Sequence, residues 1–131
     1  MFKKTYIFVA LIISFSLVLS ACGGGNGGGD TAMSGEELFA QKVIGTEAGC
    51  STCHSLEAGV IVVGPSMAGI GTAAATRVSG ENAEEYLRQS ILEPDVYVVE
   101  GFPAGTMPKV WGDVLTEEQI DQLVAYLLTL E

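Results

Sequence analysis

The chain has 131 residues, 48% of them hydrophobic, with 16 acidic side chains against 6 basic ones, a net charge of −10, three cysteines and one histidine. That length predicts one domain, and the composition excludes a collagen-like or wholly disordered chain. The acidity argues against a nucleic-acid partner, because phosphate binding needs a basic face, and a lone His54 excludes any site built from several imidazoles.

The amino end reads as a processing signal. Lys3 and Lys4 precede residues 6–19, an apolar stretch broken only by Ser14 and Ser16. A stretch of that length matches the apolar region of a signal peptide and falls short of the ~20 residues that span a bilayer. It ends in Leu19-Ser20-Ala21-Cys22, which resembles the lipobox of bacterial lipoproteins. The resemblance implies cleavage before Cys22 and lipid on the new amino terminus. An uncleaved membrane anchor is one competing reading. Another is Cys22 as a free thiol or disulfide partner in an oxidising, exported compartment. Cleavage removes Lys3 and Lys4 and leaves four basic side chains against 16 acidic ones, a net charge of −12.

Residues 23–30 then carry six glycines in eight positions, a flexible coil. From Cys22 to Met33 its span is about 20 Å at ~5–6 Å × √n. The expected organisation is therefore a signal peptide at 1–21, a lipidated Cys22 and linker at 22–33, and a globular domain at 34–131.

Three helices are predicted in that domain. Ser34 with Glu37 forms a capping box, opening a helix with Leu38, Phe39, Val43 and Ile44 apolar that should stop at Gly45. Asn82 with Glu85 opens a second, with Tyr86, Leu87 and Ile91 on one face and an end before Pro94. Thr116 with Gln119 opens a third, whose Ile120, Leu123, Val124, Leu127 and Leu128 give the strongest helical spacing in the chain. Residues 60–63 suit a short strand, although no second strand is evident to pair with it. A domain this small, with long Gly- and Pro-containing loops, buries only a modest core, and a large bound cofactor is the attractive organiser.

The chemistry lies in Cys50-Ser51-Thr52-Cys53-His54. C-x-x-C-H is the attachment signature of c-type haem. Thiols three residues apart add to the two vinyl groups of the porphyrin as thioethers, and the adjacent His54 binds iron. A structural zinc needs four ligands, and Cys50, Cys53 and His54 supply three. A thioredoxin-like dithiol belongs to a βαβ pattern that is not evident, and a structural Cys50–Cys53 disulfide is a further alternative to haem. The sixth iron ligand cannot be a second histidine. Met33 belongs to the linker, and Met67 lies only 13 residues after His54. Met107, 53 residues on and between Thr106 and Pro108, has enough chain to reach round the ring and is the expected ligand. Met67 and an open or water-bound position are the alternatives. Thioether–histidine ligation is the electron-transfer arrangement.

These features together resemble a class I monohaem cytochrome c. Gly35 and Phe39 stand four apart on the first helix, and Leu123 and Tyr126 three apart on the last, where the family packs an aromatic against that glycine. Gly64-Pro65 follows the haem motif, and the family's backbone there accepts a hydrogen bond from the axial histidine. The resemblance implies an all-α cytochrome c fold, three or more helices and long loops wrapped around one covalent haem c. The family often has leucine where Met67 stands, which favours packing for that side chain.

Residues 93–102, running into Met107-Pro108, resemble the c-domain of haem–copper oxidase subunit II and the small lipid-anchored subunit of alternative complex III, a quinol-oxidising complex. The expected function is single-electron transfer in a respiratory or photosynthetic chain, as subunit or partner of a membrane quinol-oxidising complex. A freely swinging lipoprotein carrier to a terminal oxidase or reaction centre is one alternative, and a haem sensor or peroxidase with an open distal site another. The protein is expected not to be an enzyme in itself. Its partners are then a membrane redox complex, soluble electron-transfer proteins and the membrane itself through Cys22. Its place is the outer face of the cytoplasmic membrane or the periplasm. Trp111 and Tyr97 suit either a haem propionate or the core, and Arg77, Arg88 and Lys109 are the cations available to neutralise a propionate. The pairs Glu84-Glu85 and Glu117-Glu118 read as solvated helix starts that favour the dipole.

Overall fold

The computed structural model describes residues 33–131; the expected signal peptide, Cys22 and the glycine run lie outside the described residues. Helix α1 is Gly35–Ala40. Ser34 and Glu37 exchange both hydrogen bonds of the capping box, the Glu37 N–H donating to the Ser34 hydroxyl at 3.3 Å and the Ser34 N–H to the Glu37 carboxylate at 3.0 Å. The helix ends five residues before Gly45. From Gln41 the chain turns extended, and β1 (Val43–Ile44) pairs antiparallel with β2 (Glu47–Ala48). β-branched Val43 and Ile44 favour a strand, and Gly45, at φ +62°, takes the first position of the two-residue turn that closes the hairpin.

Helix α2 is the single turn Cys50–Cys53, and α3 is Ile70–Ala74. The expected strand at 60–63 does not form. Val63 and Gly64 instead donate their N–H groups to the Cys53 carbonyl at 3.1 and 2.9 Å, and Val60, Ile61, Val62 and Val63 are all exposed. Helix α4 is Ala83–Leu92, opened by the Asn82–Glu85 box and ending ahead of Pro94 as the sequence predicts. A short α5, Trp111–Val114, precedes α6, Glu117–Leu128, which Thr116 and Gln119 cap reciprocally. No helix among the described residues is long and apolar enough to cross a membrane.

Helix α6 is the spine, packing against α1, α3 and α4. Leu38 of α1 and Ile120 and Leu123 of α6 are fully buried in one core cluster. A β-carbon on Gly35 would overlap the Gln122 carbonyl and stand 2.7 Å from the Tyr126 β-carbon, so only glycine permits so close a crossing of α1 and α6. Phe39 and Tyr126 then meet ring to ring at 5.8 Å. The arrangement is mostly helical with one small hairpin, compatible with the cytochrome c fold expected from the sequence.

Candidate functional site

The Cys50–Cys53 turn is fastened to the end of α1 by the two residues between its cysteines. The Ser51 hydroxyl donates to the carbonyls of Ala40 and Gln41 at 3.1 and 3.4 Å, and the Thr52 hydroxyl to that of Lys42 at 3.0 Å. The Ser51 bonds satisfy carbonyls that the end of α1 leaves without partners, and the Thr52 bond joins the Gly49 N–H on the Lys42 carbonyl. Gly49 passes so close to the Gln41 carbonyl that a β-carbon would overlap it. Cys50 and Cys53 are not disulfide-bonded to each other, and burial is the largest cause raising the Cys50 thiol above its usual pKa.

His54 is held through its ring. Nδ1 lies 2.8 Å from the Pro65 carbonyl, which only accepts, so Nδ1 carries a proton, and in the neutral ring the lone pair is the one on Nε2. That bond sets both tautomer and orientation, as expected of a metal-binding imidazole. Gly64 lies against the ring: a β-carbon there would stand 2.5 Å from Cε1 and 2.9 Å from Nδ1. The loop returns on itself through the Met67 N–H, which donates to the Ser55 carbonyl at 2.8 Å, and the Ser66 hydroxyl, which donates to that of Glu57 at 2.7 Å.

Cys50, Cys53, His54, Met67, Met107 and Trp111 all line one open cavity. Most of its remaining wall is aliphatic and aromatic, the lining expected of a cofactor site. Trp111 is 3% exposed, yet its Nε1–H has no hydrogen-bond partner, a donor awaiting an acceptor. A flat, largely apolar group with thiol-reactive edges, a metal for Nε2 and acidic substituents fits this set. Among the described residues, no group of three or more His, Cys, Asp or Glu side chains is placed to hold a metal ion.

The structure sorts the other candidates. Met33 packs half-buried against the core, with its sulfur beside Gln41, and is not part of the cavity wall. Met67 does line the cavity, but its backbone is tied to the residue after His54, whereas Met107 arrives on the separate segment between α4 and α5. Tyr97 lines the cavity too and packs edge-on against Tyr86 at 5.6 Å. Arg88 is paired with Glu117 and Asp121, and Lys109 with Asp95, leaving Arg77 as the cation in the cavity wall without an ion pair among the described residues. Sequence reading missed Ser51, Thr52 and Asp95. The first two look like spacers in the motif, and Asp95 acts on residues ten and more positions away.

Comparison with known proteins agrees with this geometry. The family model for Cytochrome c matches residues 32–131. No curated protein and no solved structure matches the chain.

Proposed function

The chain belongs to the cytochrome c family, with haem c as its covalent cofactor, and on that premise we propose that it is a lipid-anchored monohaem electron carrier. Cys50 and Cys53 hold the porphyrin, and His54 and Met107 ligate the iron. The observation that carries the reading is the lock on His54: a single hydrogen bond from Nδ1 to the Pro65 carbonyl leaves Nε2 as the ring nitrogen available to a metal, at a cavity shared with Met107 and both cysteines. When bound, the haem supplies a one-electron couple whose potential thioether–histidine ligation and burial raise. The protein's own part is to keep its ligands still. Pro65 fixes the imidazole, the apolar wall excludes water, and the Trp111 Nε1–H and the Arg77 guanidinium offer the acidic substituents a donor and a charge.

Lipid on Cys22 tethers the domain to the outer face of the cytoplasmic membrane, with residues 22–33 as the leash and 34–131 as the electron-transfer domain. Its redox partner is a membrane quinol-oxidising complex; the resemblance of residues 93–102 and Met107-Pro108 to such subunits supports this. Twelve net negative charges on the processed chain favour docking on basic surfaces, with rates that fall as salt rises.

Three measurements test these assignments. A pyridine-haemochrome spectrum should be that of a c-type haem, and a colourless preparation from cells able to attach haem sinks the reading. Met107→Ala should abolish the weak far-red methionine–iron band of the ferric protein; a surviving band moves the role to Met67. Cys22→Ala should release the protein from membranes washed at high salt.

A further inference from the structure

We propose that Asp95 is a positioning residue for the Met107 sulfur, its carboxylate tying down the chain two residues before and two residues after that methionine. This rests on the reading of Met107 as the iron ligand. Oδ1 accepts the Gly105 N–H at 2.7 Å, and Oδ2 faces the Lys109 Nζ at 2.5 Å. Gly105 and Lys109 bracket Met107 symmetrically, so one carboxylate closes a clasp around residues 105–109.

The clasp has a fixed end. Asp95 follows Pro94, whose ring restricts the backbone, and the Val96 N–H donates to the Glu93 carbonyl at 3.0 Å, turning the chain directly after α4. The other end has little else to hold it. Among the described residues, no backbone-to-backbone hydrogen bond is made by residues 103–109; the Thr106 hydroxyl donates to the Pro103 carbonyl at 3.1 Å, a tie within the loop itself. Gly105, at φ +75°, makes the turn that aims its N–H at Asp95. An isolated surface ion pair contributes little, but this carboxylate also accepts a backbone N–H from a loop with few other ties. The Lys109 ammonium and the Gly105 N–H both favour the ionised form and hold the Asp95 carboxyl below its ordinary pKa.

Displacement of the methionine by imidazole in the full-length ferric holoprotein tests this, read as the imidazole concentration that halves the far-red methionine–iron band. Asp95→Ala should halve the band at a concentration roughly three- to tenfold lower than the unmodified protein requires, the range expected for one charge-assisted hydrogen bond with its ion pair. Asp95→Asn keeps an acceptor for Gly105 but loses the ion pair, and Lys109→Ala removes only the ammonium; both should give smaller shifts in the same direction. Arg88→Ala breaks an ion pair elsewhere and should leave the imidazole midpoint unchanged, so general loosening is distinguishable. Unchanged midpoints for Asp95→Asn and Lys109→Ala overturn the inference even where Asp95→Ala fails to fold. If Met107→Ala retains the band, it is the ligand assignment that fails, by a separate result.

Discussion

The two segments that meet at the cavity are built on different principles. On the histidine side, residues 54–67 are held mainly by backbone groups: Val63 and Gly64 on the Cys53 carbonyl, Met67 on that of Ser55, and the imidazole on that of Pro65. On the methionine side, residues 103–109 make no backbone-to-backbone hydrogen bond among the described residues and are held by side chains, chiefly the Asp95 carboxylate on Gly105 and Lys109. Backbone bonds survive most substitutions, whereas a side-chain clasp is lost with one residue. The imidazole is therefore the fixed element of the site and the thioether the adjustable one.

A large effect is expected from crowding the fixed side at Gly64. Gly64→Ala places a β-carbon 2.5 Å from His54 Cε1, and the ring or its loop must shift. A loss of about 2–3 kcal/mol is expected for overpacking of this kind. In a domain this size that lowers Tm by roughly 10–20 °C. Scanning calorimetry, with the haem-to-protein ratio measured alongside, checks it. A wild-type Tm and full haem content would show that the histidine side yields more easily than its bonding suggests.

Gly35→Ala is the companion outside the cavity. Its β-carbon would overlap the Gln122 carbonyl where α1 crosses α6, at a cost of about 1–3 kcal/mol. Melting should fall while the far-red band and its imidazole midpoint stay put, because neither loop is touched. A shifted midpoint would mean that the methionine side responds to the α1–α6 packing.

How much of this was legible in the sequence follows the same division. Capping boxes at Ser34, Asn82 and Thr116 are local chemistry and marked all three helix starts correctly. The helix expected to run to Gly45 ends at Ala40: Val43 and Ile44 fit a helical stripe as well as they fit a strand, and only their pairing with Ala48 and Glu47 decides. Residues 60–63 look like a strand by composition, but a strand needs an edge to pair with, and the Cys53 carbonyl takes two of their loop's N–H groups instead. Short helices α2, α3 and α5 carry too few residues to show a period. At the site, Cys50, Cys53, His54 and Pro65 were legible because a motif and a resemblance name them. The Asp95 clasp was not, because a contact across ten residues of loop leaves no periodic trace.

Acid titration sharpens the contrast with a smaller effect. Asp95 is held below its ordinary pKa first by Lys109 and then by the Gly105 N–H, and Glu37 by the Ser34 N–H and hydroxyl. A carboxyl whose folded pKa is depressed contributes stability that is complete above its unfolded value and disappears as pH falls through the folded one. The window therefore lies from about pH 4 downward. The stability difference between the unmodified protein and Asp95→Asn should shrink across that window, measured by denaturant unfolding at stepped pH. A difference constant from pH 5 to pH 2.5 would mean that Asp95 is not anchored through its charge.

The smallest effect belongs to a pair that touches neither segment. Arg88, on α4, reaches the Glu117 carboxylate at 3.2 Å and pairs with Asp121, linking α4 to the start of α6. Both acids are well exposed, so water and salt screen the attraction. Such pairs contribute about 0–1 kcal/mol. Arg88→Gln should therefore lower Tm by a few degrees at most in low salt, and the deficit should vanish toward 1 M salt, where the screening length is about 3 Å. Asp95→Asn in the same salt series should keep part of its deficit, because exchanging a carboxylate for an amide also weakens the short-range hydrogen bond from the Gly105 N–H. If both deficits vanish together, the methionine side is held by surface charge alone, and its difference from the histidine side is larger than the bonding pattern implies.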